Sequence, residues 1–126
     1  MTKQVRRTPT EAQEQKALFE WAGFESGRYP ELALLYHIPN EARRSYALGR
    51  EMKAQGLKSG VPDICLPVPR GDYGALYIEL KRRKDGRLSD NQRGWLNGLN
   101  RAGNMAVVCK GWEEARDTII KYLKGV

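Results

Sequence analysis

Along the chain, hydrophobic and polar positions alternate between two periods. Residues 10–23 place Ala12, Leu18, Phe19, Trp21 and Ala22 at roughly helical spacing, with Thr8 or Thr10 as a start and Gly23 as a stop. Within it Glu11 and Gln15 stand four apart and share a helical face. Residues 32–38, "LALLYHI", read as a buried strand or a short helix closed by Pro39. Residues 41–56 predict a surface helix with a thin apolar face, opened by Asn40 and followed by the loop "GLKSGVP". "DICLPV" and "ALYIELK" then predict two strands joined by the turn chemistry of "RGDYG". In the second strand Leu76, Ile78 and Leu80 point one way, and Tyr77, Glu79 and Lys81 the other. Setting Asp63 opposite Glu79 centres the turn on Gly71 and brings Asp63, Glu79 and Lys81 to one end of one sheet face.

Beyond the polar loop "RRKDGR", Ser89 caps a helix that Gly103 stops, and "MAVVC" is a short buried strand. Strand, helix and strand in succession imply a right-handed parallel crossover. The chain closes on an amphipathic helix with Trp112, Ala115, Ile119, Ile120 and Leu123 inward. The order is α, β, (α), β, β, α, β, α: a mixed sheet with helices packed on it, in the α/β class.

A length of 126 residues fits one domain, able to bury roughly two thirds of its unfolded surface. Residues 1–9 are expected to form a flexible basic N-terminus, and residues 10–126 a single domain. No apolar run approaches the ~20 residues that span a bilayer, and no apolar stretch follows the basic start, so a cytoplasmic location is expected. Cys65 and Cys109 sit in apolar strands and read as buried free thiols. His37 is the single histidine, so a metal site would rest on oxygen ligands, which suits magnesium, manganese or calcium. Lys and Arg number 22 against 15 Asp and Glu, a formal charge of +7 that points to an anionic partner, nucleic acid first.

Glu79 and Lys81 alone could be an exposed polar stripe or a weak ion pair. Asp63 changes that reading. Two carboxylates converging on one face repel unless a cation lies between them, and a hard divalent ion suits the place. An adjacent lysine can serve an attacking water or a developing phosphate charge. Such a group in a basic protein is suited to hydrolysing a phosphodiester.

Pro62-Asp63 followed by Glu79-Leu80-Lys81 resembles the PD-(D/E)XK nuclease signature. With "IPNEARRS", "LKSGVPDICLP", "YIELKRR", "LSDNQRGWLNGL" and "AGNMAVVC", the chain is similar over residues 11–123 to the VRR-NUC family, especially its small stand-alone members in phages and bacteria. The resemblance implies a restriction-endonuclease-like αβββαβ core and magnesium- or manganese-dependent cleavage of DNA. It implies a metal on Asp63 and Glu79, with the Leu80 backbone carbonyl as a further ligand, and Lys81 as the catalytic lysine. A helix-1 glutamate in the family pattern fits Glu11 best, with Glu14 as competitor, and is expected to assist at the metal directly or through water; Glu11 could equally just favour the positive end of its helix. Gln92 matches the family glutamine and also completes a capping box with Ser89. Stand-alone members resemble Holliday-junction resolvases acting as dimers, so branched DNA and a homodimer are expected. Arg82, Arg83, Lys84 and Arg87, with Arg43, Arg44 and Lys58, are expected to contact phosphates. The alternative is a non-catalytic nucleic-acid-binding module that kept the fold.

Overall fold

A computed structural model describes residues 7–39 and 46–125. Residues 1–6 of the expected N-terminal segment, together with Asn40, Glu41, Arg43 and Arg44, lie outside the described residues.

Helix α1 spans Glu11–Glu25. Thr10 opens it through a reciprocal capping box with Gln13. It runs past Gly23, which is helical, and stops at Ser26, whose hydroxyl donates to the Gly23 carbonyl. The expected stop at Gly23 is thus corrected by one half-turn. Its buried stripe is Glu14, Leu18 and Ala22, four apart, while Ala12 faces solvent. Residues 32–38 divide between a short helix and a strand, but the strand is exposed rather than buried as expected, because it lies at the sheet edge. A 3-10 turn over Pro30–Leu34 buries Leu32, and a two-residue strand β1, Tyr36–His37, follows. Helix α2 is described over Tyr46–Ala54.

Strands β2, Ile64–Leu66, and β3, Leu76–Lys81, form the expected hairpin. Ile64 pairs Ile78, Cys65 pairs Tyr77 and Leu66 pairs Leu76, so the same register continues to Asp63 opposite Glu79. Gly71 lies at the centre of the connection, with φ +55°, where a side chain would be strained. Helix α3, Asp90–Arg101, carries the chain over to β4, Met105–Lys110, which lies parallel to β3. Helix α4 is Trp112–Lys124. The four-stranded sheet has the order β1-β2-β3-β4, antiparallel except for its last pair. The αβββαβ core is α1, β1, β2, β3, α3 and β4.

The main core gathers Leu18 and Ala22 of α1, Leu32, Ile64, Leu66, Leu76, Ile78, Leu80, and Ala115, Ile119 and Tyr122 of α4. Tyr122 buries deeper than the expected Ile120 and Leu123 because its hydroxyl donates to the Val68 carbonyl at 2.6 Å. Cys65 and Cys109 are buried and free, as expected. Among the described residues no helix is long and apolar enough to cross a membrane.

Candidate metal and nucleic-acid site

The hairpin register places Asp63, Glu79 and Lys81 at one end of β2 and β3. The approach to Asp63 is set by Gly60, which has φ +87° and lies so close to α3 that a Cβ there would sit 2.7 Å from Asn91. Asn91 Nδ2 also donates to Ser59 Oγ at 3.3 Å. This clamp seats the loop on the first turn of α3. At Asp63 itself the carbonyl accepts from Ile38 N at 2.7 Å and lies 3.0 Å from His37 Nδ1, which must then carry its proton. Asp63 Oδ2 accepts the Leu80 backbone N–H at 2.8 Å, tying the two strands together at the site.

Glu79 is 2% exposed. Its Oε1 accepts from Gln92 Nε2 at 2.8 Å and lies 3.5 Å from Lys81 Nζ. Its Oε2 is buried with no hydrogen-bond partner. Lys81 is only 7% exposed and lies 4.0 Å from Glu11 Oε1. Glu11, Ala12, Gln15, His37, Asp63 and Leu80 line a cleft of about 250 Å³ beside these groups. Gln92 does two things at once. Its Oε1 accepts the Ser89 N–H in the capping box, while its Nε2 reaches Glu79.

Burial raises the pKa of Glu79 to about 8, the Asp63 charge adds to the rise, and Lys81 opposes it. Burial also raises Asp63, against the Leu80 N–H and a hydrogen bond from Glu79. The two carboxyls therefore share a proton, held mainly on Glu79. No protein donor faces Glu79 Oε2, and a divalent cation between the two carboxyls would displace the proton that they share. Asp63 and Glu79 would supply two oxygens. Among the described residues no group of three or more His, Cys, Asp or Glu side chains could hold a metal ion. Further ligands would be backbone carbonyl and water, as a hard ion accepts. Glu11 reaches the cleft with its side chain half exposed, and its charge meets Lys81. Glu14 turns away from the cleft: its Oε2 accepts from Arg83 Nε at 3.1 Å and its Oε1 lies 3.4 Å from the Trp112 N–H.

The family model for the VRR-NUC domain matches residues 4–113. The chain belongs to the VRR-NUC family. A solved structure described as a VRR_NUC domain protein superposes with a TM-score of 0.81 at 28% sequence identity, covering 95% of this chain and 93% of the other. No curated protein matches. Membership makes this VRR-NUC chain a protein of nuclease fold, with DNA as the partner the family implies.

The basic residues of this VRR-NUC domain divide into two sets. Lys58, Lys84 and Arg87 are exposed and available to a phosphate backbone. Arg83, expected there too, is held by Glu14 and by Glu113, so it ties the turn after β3 to α1 and α4. Arg82 is partly buried, with Nη2 3.5 Å from the Thr8 carbonyl and Nε buried without a partner among the described residues. The sequence reading missed the brace role of Glu14, and it missed Gln15 and His37 in the cleft wall. The stripe Glu14-Leu18-Ala22 carried the first signal, because a glutamate on the buried face of a helix requires a cation nearby.

Proposed function

We propose that this VRR-NUC protein is a divalent-metal-dependent DNA endonuclease that selects branched DNA. One observation carries the proposal: the buried, partnerless Oε2 of Glu79 stands beside Asp63 with Lys81 3.5 Å from the same carboxyl. Magnesium or manganese on Asp63 and Glu79 would polarise the phosphodiester and lower the pKa of a bound water. The Leu80 carbonyl, adjacent in sequence, is a candidate further ligand. Gln92 holds Glu79 in place. Lys81, 3.5 Å from Glu79 Oε1 and 4.0 Å from Glu11 Oε1, orients the attacking water and meets the charge that develops on the phosphate. Hydrolysis joins the water oxygen to phosphorus, breaks one P–O ester bond and leaves a proton on the departing oxygen.

Lys58, Lys84 and Arg87 supply sequence-independent backbone contacts. No base-reading motif stands out, so selection by DNA shape is the natural mode. Paired nicks across a four-way junction need two sites, hence a homodimer. The test is cleavage of labelled four-way junction, flap, single-stranded and duplex DNA with magnesium, manganese or EDTA. Metal-dependent cutting of branched substrates is expected, and Asp63→Ala and Lys81→Ala should bind without cutting. Wild-type protein that binds these DNAs and cuts none with either metal points to a non-catalytic binding module.

A further inference from the structure

The sheet register aligns Tyr36, Cys65, Tyr77 and Ala106 in one row across all four strands. Residues directly opposite one another share a face. Cys65, Tyr77 and Ala106 all stand outside the main core, so this row lies on the face away from α1 and α4. At the β4 edge Ala106 is bracketed by Asn100 of α3, through two hydrogen bonds of 2.9 Å. At the β1 edge Tyr36 is 49% exposed. Between them Cys65 is only 1% exposed. The two tyrosines flank it directly on the neighbouring strands. Their rings folded over Cys65 would account for a small side chain beside an exposed edge being sealed from water.

The same row adjoins the candidate site. Tyr77 stands two residues before Glu79 on one face of β3, so the two side chains leave the strand about 7 Å apart. Cys65 stands likewise two residues after Asp63. A DNA strand whose phosphate rests at Asp63 and Glu79 therefore brings a neighbouring nucleotide over the tyrosines. Rings lying along a sheet offer π-faces that take any base, but only one that has left its own stack.

We propose that Tyr36 and Tyr77 form a stacking platform for unpaired nucleotides next to the phosphate to be cut. This rests on the endonuclease reading and gives it a substrate class: DNA strands with unpaired bases at the site, taken without regard to sequence. The platform favours a branch point or a flap over intact duplex, because in duplex the π-faces of the bases are already covered. It supplies structure selection from this chain's own side chains, where the basic residues alone would grip any backbone.

The test measures binding in an Asp63→Asn background, so that nothing is cut. The probes are a labelled single strand, a blunt duplex of equal length, and a flap with 2-aminopurine at its first unpaired position. Tyr36→Leu and Tyr77→Leu should each weaken single-strand binding about tenfold and change duplex binding less than about twofold. They should also restore 2-aminopurine fluorescence that the unsubstituted tyrosines quench. Tyr36→Phe and Tyr77→Phe keep the ring and should bind as the parent does. Equal losses on single strand and duplex, no loss in either Leu variant, or Phe variants as weak as Leu would each overturn the platform. Circular dichroism identifies any Leu variant that fails to fold, and the Phe variants and the 2-aminopurine signal then decide. Cutting by the wild type with tyrosine-independent binding removes the platform alone. Tyrosine-dependent binding by a wild type that cuts nothing removes the endonuclease reading alone.

Discussion

Replacing Glu79 by Gln should stabilise the metal-free protein at alkaline pH, even though it removes a candidate metal ligand. In the fold the Glu79 carboxyl is pushed up from 4.5 to about 8, first by burial and then by the Asp63 charge. Between those values the folded protein holds a proton that the unfolded chain has released. The stabilisation is complete below the lower value, is lost as pH rises through the window, and levels off above the higher one. The slope is about 1.4 kcal/mol per pH unit. Between pH 5 and pH 8 the ideal loss is about 4 kcal/mol; relaxation and water entry around a buried ion soften it, so about 2 kcal/mol is expected. Asp63 is also raised, which adds in the same direction. Glu79→Gln keeps an oxygen for Gln92 Nε2 and removes the titrating proton, so most of the slope should vanish. Urea unfolding in EDTA at several pH values, followed by tryptophan fluorescence, measures this directly. Midpoints of wild type and variant that move in parallel from pH 5 to 8.5 would refute the reasoning.

Four further substitutions separate the parts of the site. Gly60→Ala combines a φ of +87° with a Cβ 2.7 Å from Asn91; it should cost about 2 kcal/mol in thermal unfolding and lower cleavage by displacing Asp63. Glu14→Gln breaks the brace to Arg83 and α4; with Arg83 nearly half exposed, a loss of about 2–3 kcal/mol is expected in urea unfolding. Ser89→Ala should cost about 1 kcal/mol of stability with cleavage retained. Gln92→Ala should add a fall in kcat at unchanged KM, because only Gln92 also reaches Glu79.

The chemistry-bearing hairpin was legible because two independent signals fix its register. Alternation assigns Glu79 to the face opposite Ile78, and the turn residues around Gly71 leave little freedom in the loop. The capping box at Ser89 and Gln92 was equally readable, since both partners lie within one turn. The resemblance placed Gln92 at the site, but its second bond, to Glu79, was not foreseen, because it joins a helix to a strand 13 residues earlier. Distant pairings resisted reading for the same reason. Arg83 lies 69 residues from Glu14, and nothing local distinguishes an arginine that meets phosphate from one that closes on two carboxylates. Helix α1 outran Gly23 because glycine weakens a helix without ending one when the backbone keeps helical angles.

Calorimetric titration of manganese into the protein near pH 8 tests the central claim most directly. One site per chain is expected, with protons released on binding because the ion displaces the proton shared by Asp63 and Glu79. Asp63→Asn should abolish the site, and Lys81→Met should leave it filled. Manganese bound equally well by the Asp63→Asn variant, or not bound by the wild type at all, would contradict the account.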